Sequence, residues 1–300
     1  MKKYYKIILP LALALISCGH NQANNVSTSI IDGEIEIPRP PAELKTPQEK
    51  AEFILMNFWN PVDFKDTTLT LNESFVEQNF VNFISVFPYA EEASRKKAVN
   101  NLLDKTKVDS RALDSFMQVA ELYLYSPDSP MRNDDYFLHF MEYIIESSET
   151  TESQKEIASY TIENINKNHV GTKATDFNFT DSDGKDRSLH SVFPDRETML
   201  IFYDPDCENC HKVISEIIND PDISQKVSNG GLGVLAVYSG HNKTSWLRDL
   251  SSFPKEWIVG HETGQIDESE LYDLREMPTI YLLDNDKTVV QKELQYLPFE

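Results

Sequence analysis

Between Thr46 and Asn168 the apolar residues return every three or four positions, the period of a helix with one buried face. In "ALDSFMQVAELYLY" this spacing puts Leu113, Phe116, Met117, Ala120 and Leu124 on a single side. The pattern predicts helices over about 73–87, 91–107, 109–125, 133–147 and 153–167, and another opening at Thr46. Thr46 suits an N-cap, Pro47 takes the first helical position, and Glu49 closes a capping box. Residues 46–168 are therefore expected to form an all-α helical domain with Phe75, Phe80 and Phe83 in its core. No repeat of fixed period supports a solenoid.

After Asn168 the period changes. Short alternating stretches flank the turn signal Asp183-Gly184, and Met199–Tyr203 reads as a buried strand followed by a helix over Cys207–Ile218. A second buried strand is predicted over 232–239, then a helix over Thr244–Leu250, the segment Trp257–Val259 and a short helix near Ser269–Leu274. Two strands joined by a turn at 284–287 close the pattern. Alternating strand and helix predict an α/β domain over 169–300, so the expected fold class is two domains, all-α and then α/β.

The ends of the pattern change the picture. Lys2, Lys3 and Lys6 precede the apolar run Ile7–Ile16, too short for the ~20 residues that span a bilayer. Leu15-Ile16-Ser17-Cys18 resembles the lipobox of bacterial lipoproteins. It implies a signal peptide over 1–17, cleavage before Cys18, and acylation of that cysteine as a membrane anchor. Residues 18–45 are polar with three prolines near their end, and are expected to be a lipidated, flexible tether. No acidic run follows Cys18, which favours an anchor facing the periplasm. The expected location is the cell envelope.

Composition adds an exclusion. At 40% hydrophobic and 26% charged the chain can bury a core, while a formal charge of −21 argues against nucleic acid as a partner. With Cys18 assigned to lipid, two thiols remain, Cys207 and Cys210.

Those two sit in "LIFYDPDCENCHKVISEI", which admits two chemistries. Cys-x-x-Cys trades electrons with disulfides, and Cys-x-x-Cys-His attaches a c-type haem. A buried strand leads directly into the motif, and Met277-Pro278-Thr279 lies about seventy residues on at the start of a hairpin. This arrangement resembles the thioredoxin fold, and "VGTKATDFNFTDSDGKDRSL" resembles the front of its TlpA/ResA branch of extracytoplasmic thiol-disulfide oxidoreductases. The helical half resembles poorly characterised domains that precede thioredoxin-like domains in envelope lipoproteins. The resemblance implies Cys207 as the attacking thiol, Cys210 as the resolving thiol, and a cis peptide bond at Met277-Pro278 that presents Met277 to a substrate. It also implies a protein or small-molecule disulfide client and an upstream thiol donor, with no cofactor. A redox-inactive binding protein with a structural disulfide remains the alternative, and the haem protein a more distant one.

Physical chemistry supports the motif independently of the family. Cys207 would cap a helix, where free N–H groups and the dipole stabilise negative charge on sulfur, and Cys210 follows one turn later. Asp206, Glu208, Asn209 and His211 are the candidates for tuning the redox balance. The sequence departs from the family in having Asp206 where an aromatic is common and Ile201 where thioredoxin has a buried acid. The seven histidines show no ligand spacing and no metal is expected; His139 reads as a core or rim residue. "DSDGKD" lacks the terminal Glu of a calcium loop and reads as a turn.

Overall fold

The structure is a computed structural model that describes residues 29–292. The predicted signal peptide, the lipobox and Cys18 lie outside the described residues. Among the described residues, helices α1 (Pro47–Asn57), α2 (Thr67–Thr70), α3 (Glu73–Ile84), α4 (Glu92–Thr106), α5 (Ser110–Ala120), α6 (Asp134–Glu146) and α7 (Glu152–Asn166) build the first half. The capping box forms as the spacing predicts: Glu49 N–H donates to Thr46 Oγ1 at 3.1 Å, and Thr46 N–H donates to the Glu49 carboxylate at 2.9 Å. Phe75, Phe80 and Phe83 are all buried, and rings knit the core, with Trp59 edge-on to Phe116 at 5.1 Å. The single-turn α2 was too short to show a period.

The helix predicted over 109–125 does reach Tyr125, but its last five residues, Glu121–Tyr125, widen into a π-turn. Such turns re-aim side chains and are common near functional sites. Here the Tyr125 ring comes to stack on Phe137 at 4.7 Å, with Arg275 as its other neighbour.

The tether reading does not hold for residues 30–35. Strands β1 (Ile30–Ile31) and β2 (Glu34–Ile35) pair as a hairpin whose turn, Asp32-Gly33, has φ of 52° and 83°. Two successive positive φ values are what a two-residue hairpin turn requires, and Asp-Gly supplies them cheaply. The hairpin docks on α3 through one buried amide. Asn79 accepts the Ile35 N–H at 2.8 Å and donates to the carbonyls of Gly33 at 3.0 Å and Phe75 at 2.8 Å. Ile35 joins the helical core.

The second half is a seven-stranded sheet of β3 (Asn178–Asp181), β4 (Asp186–Ser188), β5 (Glu197–Phe202), β6 (Leu232–Tyr238), β7 (Ile258–His261), β8 (Thr279–Leu283) and β9 (Val289–Lys292). Its order is β4-β3-β7-β6-β5-β8-β9; β5, β6 and β7 run parallel and the rest antiparallel. The side chains alternate between two buried faces. Met199, Ile201 and Tyr203 meet α8 (Glu208–Asn219), α9 (Pro221–Ser228) and α10 (Lys243–Asp249), while Leu200 and Phe202 pack on Phe177 and Tyr272. Burial on both faces explains why β6 is apolar throughout. "DSDGKD" is a turn: the Asp181 carboxylate accepts the N–H groups of Asp183 and Lys185, each at 2.9 Å.

One predicted helix is displaced. The segment 269–274 is not helical; the helical turn is α11, Gln265–Glu268. The buried Glu262 carboxylate accepts the N–H groups of Gly264, Gln265 and Ile266 at 3.1, 2.7 and 3.2 Å, and starts the turn early. Residues 269–277 are thereby free to run as an irregular loop toward the helical half.

Candidate active site

Strand β5 delivers the chain to a turn at Asp204–Asp206, where Asp206 N–H donates to Asp204 Oδ1 at 2.7 Å and Cys207 N–H donates to the Asp204 carbonyl at 3.1 Å. Cys207 then caps α8 with φ −91° and ψ 114°, and its Sγ accepts the Cys210 N–H at 3.1 Å. This is the geometry that an N-cap oxygen normally adopts, with sulfur in its place. Cys207 is partly exposed, whereas Cys210 is completely buried with Ile214 and Ile217 on the inner face of α8. Burial pushes the Cys210 thiol up to about 12, against a hydrogen bond from the Asp204 backbone that works the other way.

The Met277-Pro278 bond is cis, and the Met277 carbonyl lies 3.9 Å from Cys207 Sγ. That carbonyl also accepts Asn209 Nδ2 at 3.2 Å. Asn209 thus ties α8 to the Pro278 loop, and a substrate strand must either displace its amide or pair with other groups of Met277. Cys207, Cys210, Asn209, Met277 and Pro278, predicted from separate stretches, come together.

The remaining tuning candidates differ in what they face. Asp206 accepts from Arg248 Nη2 at 2.6 Å and from Ser245 Oγ at 3.1 Å, and the Arg248 guanidinium holds its carboxyl below the usual range. Its charge is largely answered. Glu208 is exposed on the first turn and has no ion-pair partner among the described residues. His211 Nε2 bonds the Pro205 carbonyl at 2.8 Å, with Nδ1 3.9 Å from Asp249. Ile201 is core, as its sequence implies. A haem thioether would need an accessible Cys210 sulfur and a free His211 ring, and the fold gives neither.

How the Pro278 loop is held is not legible in the sequence. Arg275 lies 3.6 Å from the Tyr125 ring centroid, donates to Asp134 at 2.7 Å and pairs with Asp273 at 2.8 Å. Its neighbour Glu276 accepts from Arg132 at 2.7 Å. Further along the contact between the halves, Lys167 meets Glu270 at 3.1 Å, and Lys292 donates to the carbonyls of Ile165 and Lys167 at 3.0 and 3.2 Å. These two carbonyls lie at the end of α7, where a cation is favoured. The charged run Asp273–Glu276 just before Met277 was the available signal, but nothing local named its partners.

A family profile described as a domain of unknown function, DUF5106, matches residues 17–168. A solved thioredoxin-like protein from Bacteroides caccae is 32% identical, aligned over 86% of this chain and 93% of its own, with a TM-score of 0.80. A conserved protein of unknown function from Bacteroides fragilis is 40% identical over 42% of this chain and 91% of its own, with a TM-score of 0.40. The thioredoxin domain of a thiol-disulfide oxidoreductase from Bacteroides vulgatus is 19% identical over 42% and 89%, with a TM-score of 0.38. None of the curated proteins matches. With the profile spanning just over half of the sequence and the Bacteroides caccae structure aligned along most of it, the chain belongs to the DUF5106 family and has a thioredoxin-like fold.

Proposed function

We propose that this protein is a lipid-anchored, extracytoplasmic thiol-disulfide oxidoreductase working as a disulfide reductase. One observation carries the reading: a partly exposed sulfur at a helix N-terminus, bonded by the N–H of a buried second cysteine and facing the carbonyl before a cis proline. The Cys207 thiolate attacks one sulfur of a client disulfide; that bond breaks, and the departing client sulfur takes up a proton. Cys210 then gives up its proton and attacks Cys207, releasing the second client thiol and leaving a Cys207–Cys210 disulfide. An upstream dithiol returns the pair to its reduced form and is itself oxidised. The high pKa of Cys210 keeps it protonated and silent until the mixed disulfide forms. The anchor of this proposal is Cys18, and the lack of an acidic run after it favours a place facing the periplasm.

The test is the redox potential at pH 7, set against glutathione or dithiothreitol buffers. A reductase should lie nearer thioredoxin, about −270 mV, than DsbA, about −120 mV. A value above about −180 mV would make the protein an oxidase or isomerase, and a pair still oxidised well below about −300 mV would be structural. Glu208→Gln should be more oxidising by roughly 10–50 mV at most, since the unanswered carboxylate disfavours negative charge on the dithiol. Asp206→Asn should move the potential less, because Arg248 already offsets Asp206.

A further inference from the structure

Beside the dithiol, between the two halves of the protein, lies a groove enclosing about 300 Å³. It begins at Asn209 and Pro278, and its floor continues along α8 through Val213 to Glu216. Positions 209, 213 and 216 are spaced at four and three, so they share one face of that helix. The opposite wall comes from the helical half, from the loop Pro127–Arg132.

That wall is built rigidly. Ser129 Oγ donates to the Tyr123 carbonyl at 2.6 Å and accepts the Met131 N–H at 3.2 Å. Prolines 127 and 130 fix two further backbone angles. Arg132, 3% exposed, bridges Asp134 and Glu276 and so ties the loop to the residues just before Met277. These bonds hold the loop in place, which lowers the ordering cost of binding.

Its charges are unequal. Six ionic residues line it: Asp128, Glu216, Asp273, Glu276, Arg132 and Arg275. Arg132 is engaged with Glu276 and Asp134, and Arg275 with Asp273 and Asp134. Asp128, on the loop, and Glu216, on α8, are exposed and have no ion-pair partner among the described residues. With Val213, Ile217 and Ile280 as apolar lining, the two unanswered carboxylates suit a long cationic side chain, whose methylenes pack while its head meets an acid.

We propose that this groove is a specificity site for polypeptide clients, and that it takes a lysine or arginine a few residues from the client's disulfide-bonded cysteine. On this reading the helical half contributes a wall of the client site. The proposal rests on Cys207 as the attacking sulfur, but it can be tested apart from the redox reading. Two otherwise identical peptides carry one cysteine activated as its thionitrobenzoate mixed disulfide, with lysine in one and glutamate in the other nearby. Such peptides react with any accessible thiol, and the released chromophore gives the rate with the Cys210→Ser protein. The lysine peptide should react about 3- to 10-fold faster at low salt. The ratio should fall toward one in Asp128→Asn/Glu216→Gln and persist in Glu156→Gln/Glu163→Gln, which removes the same charge from exposed positions on α7 outside the groove. Equal rates for the two peptides would overturn the proposal. So would a preference that survives the groove substitutions, or one that falls equally in both double variants, which would mark it as an effect of net charge. A potential that excludes a reductase would leave this rate preference readable, so the two ideas can fail separately.

Discussion

Replacing Arg275 with methionine removes one of the cations that join the Pro278 loop to the helical half while keeping much of its length. In the native protein the guanidinium lies 3.6 Å from the Tyr125 ring centroid and pairs with Asp134 and Asp273, whose side chains are 12% and 6% exposed. Breaking a fully buried ion pair by removing one partner costs about 3–5 kcal/mol. The cost here should be smaller, because Asp134 keeps Arg132 at 3.4 Å and begins α6, where the helix dipole favours an anion. Asp273 loses more, being the deeper carboxylate, and the ring contact contributes about 0.5–2 kcal/mol. A total of about 2–4 kcal/mol is expected. Chemical denaturation at neutral pH measures it, and a double-mutant cycle with Asp273→Asn assigns it. The double variant should cost about 1–2 kcal/mol less than the sum of the singles, because Asp273→Asn removes the charge that Arg275→Met strands. Costs that add to within about 0.5 kcal/mol would refute the pairing as the source of the effect.

Asn79→Ala should release the β1–β2 hairpin at a cost of roughly 2–3 kcal/mol, read by denaturation and by new proteolytic cleavage near residues 30–36, because three hydrogen bonds converge on one buried amide. For the same reason an isolated fragment 29–168 should show helical circular dichroism and be more stable than 46–168, and a disordered 29–168 would show that the halves need each other's surface to fold. Burial lowers the His139 pKa, opposed by Glu142 and Glu92 and assisted by Arg95, so the native ring is neutral where the unfolded one takes a proton. Stability from this residue is therefore full above the unfolded value of about 6.5 and declines as pH falls toward the lower folded value, and His139→Phe should flatten that part of the denaturation-midpoint profile. Cys18→Ala should move the protein from the membrane fraction to the soluble one, and retention after salt and carbonate washing would require another anchor.

The parts legible in the sequence are those whose cause is local. Apart from the single-turn α2, the helices between Thr46 and Asn168 follow from a period of three to four, and the Thr46–Glu49 box from residues three apart. Cys207 caps α8 because a buried strand, a tight turn and an amphipathic helix succeed one another between Glu197 and Asn219. The Asp32-Gly33 hairpin was equally local, but the polar composition around it masked two short strands that only Asn79, over forty residues away, makes worth forming. Glu262 shows a different limit: which N–H groups a buried carboxylate captures decides where a helical turn starts, and propensity does not register the choice. The Tyr125–Arg275–Asp134 contact lies beyond any local reading. A surface arginine and a paired one look alike in sequence, since the energy of an ion pair depends on distance and burial, and only the tertiary fold sets these across some 140 residues.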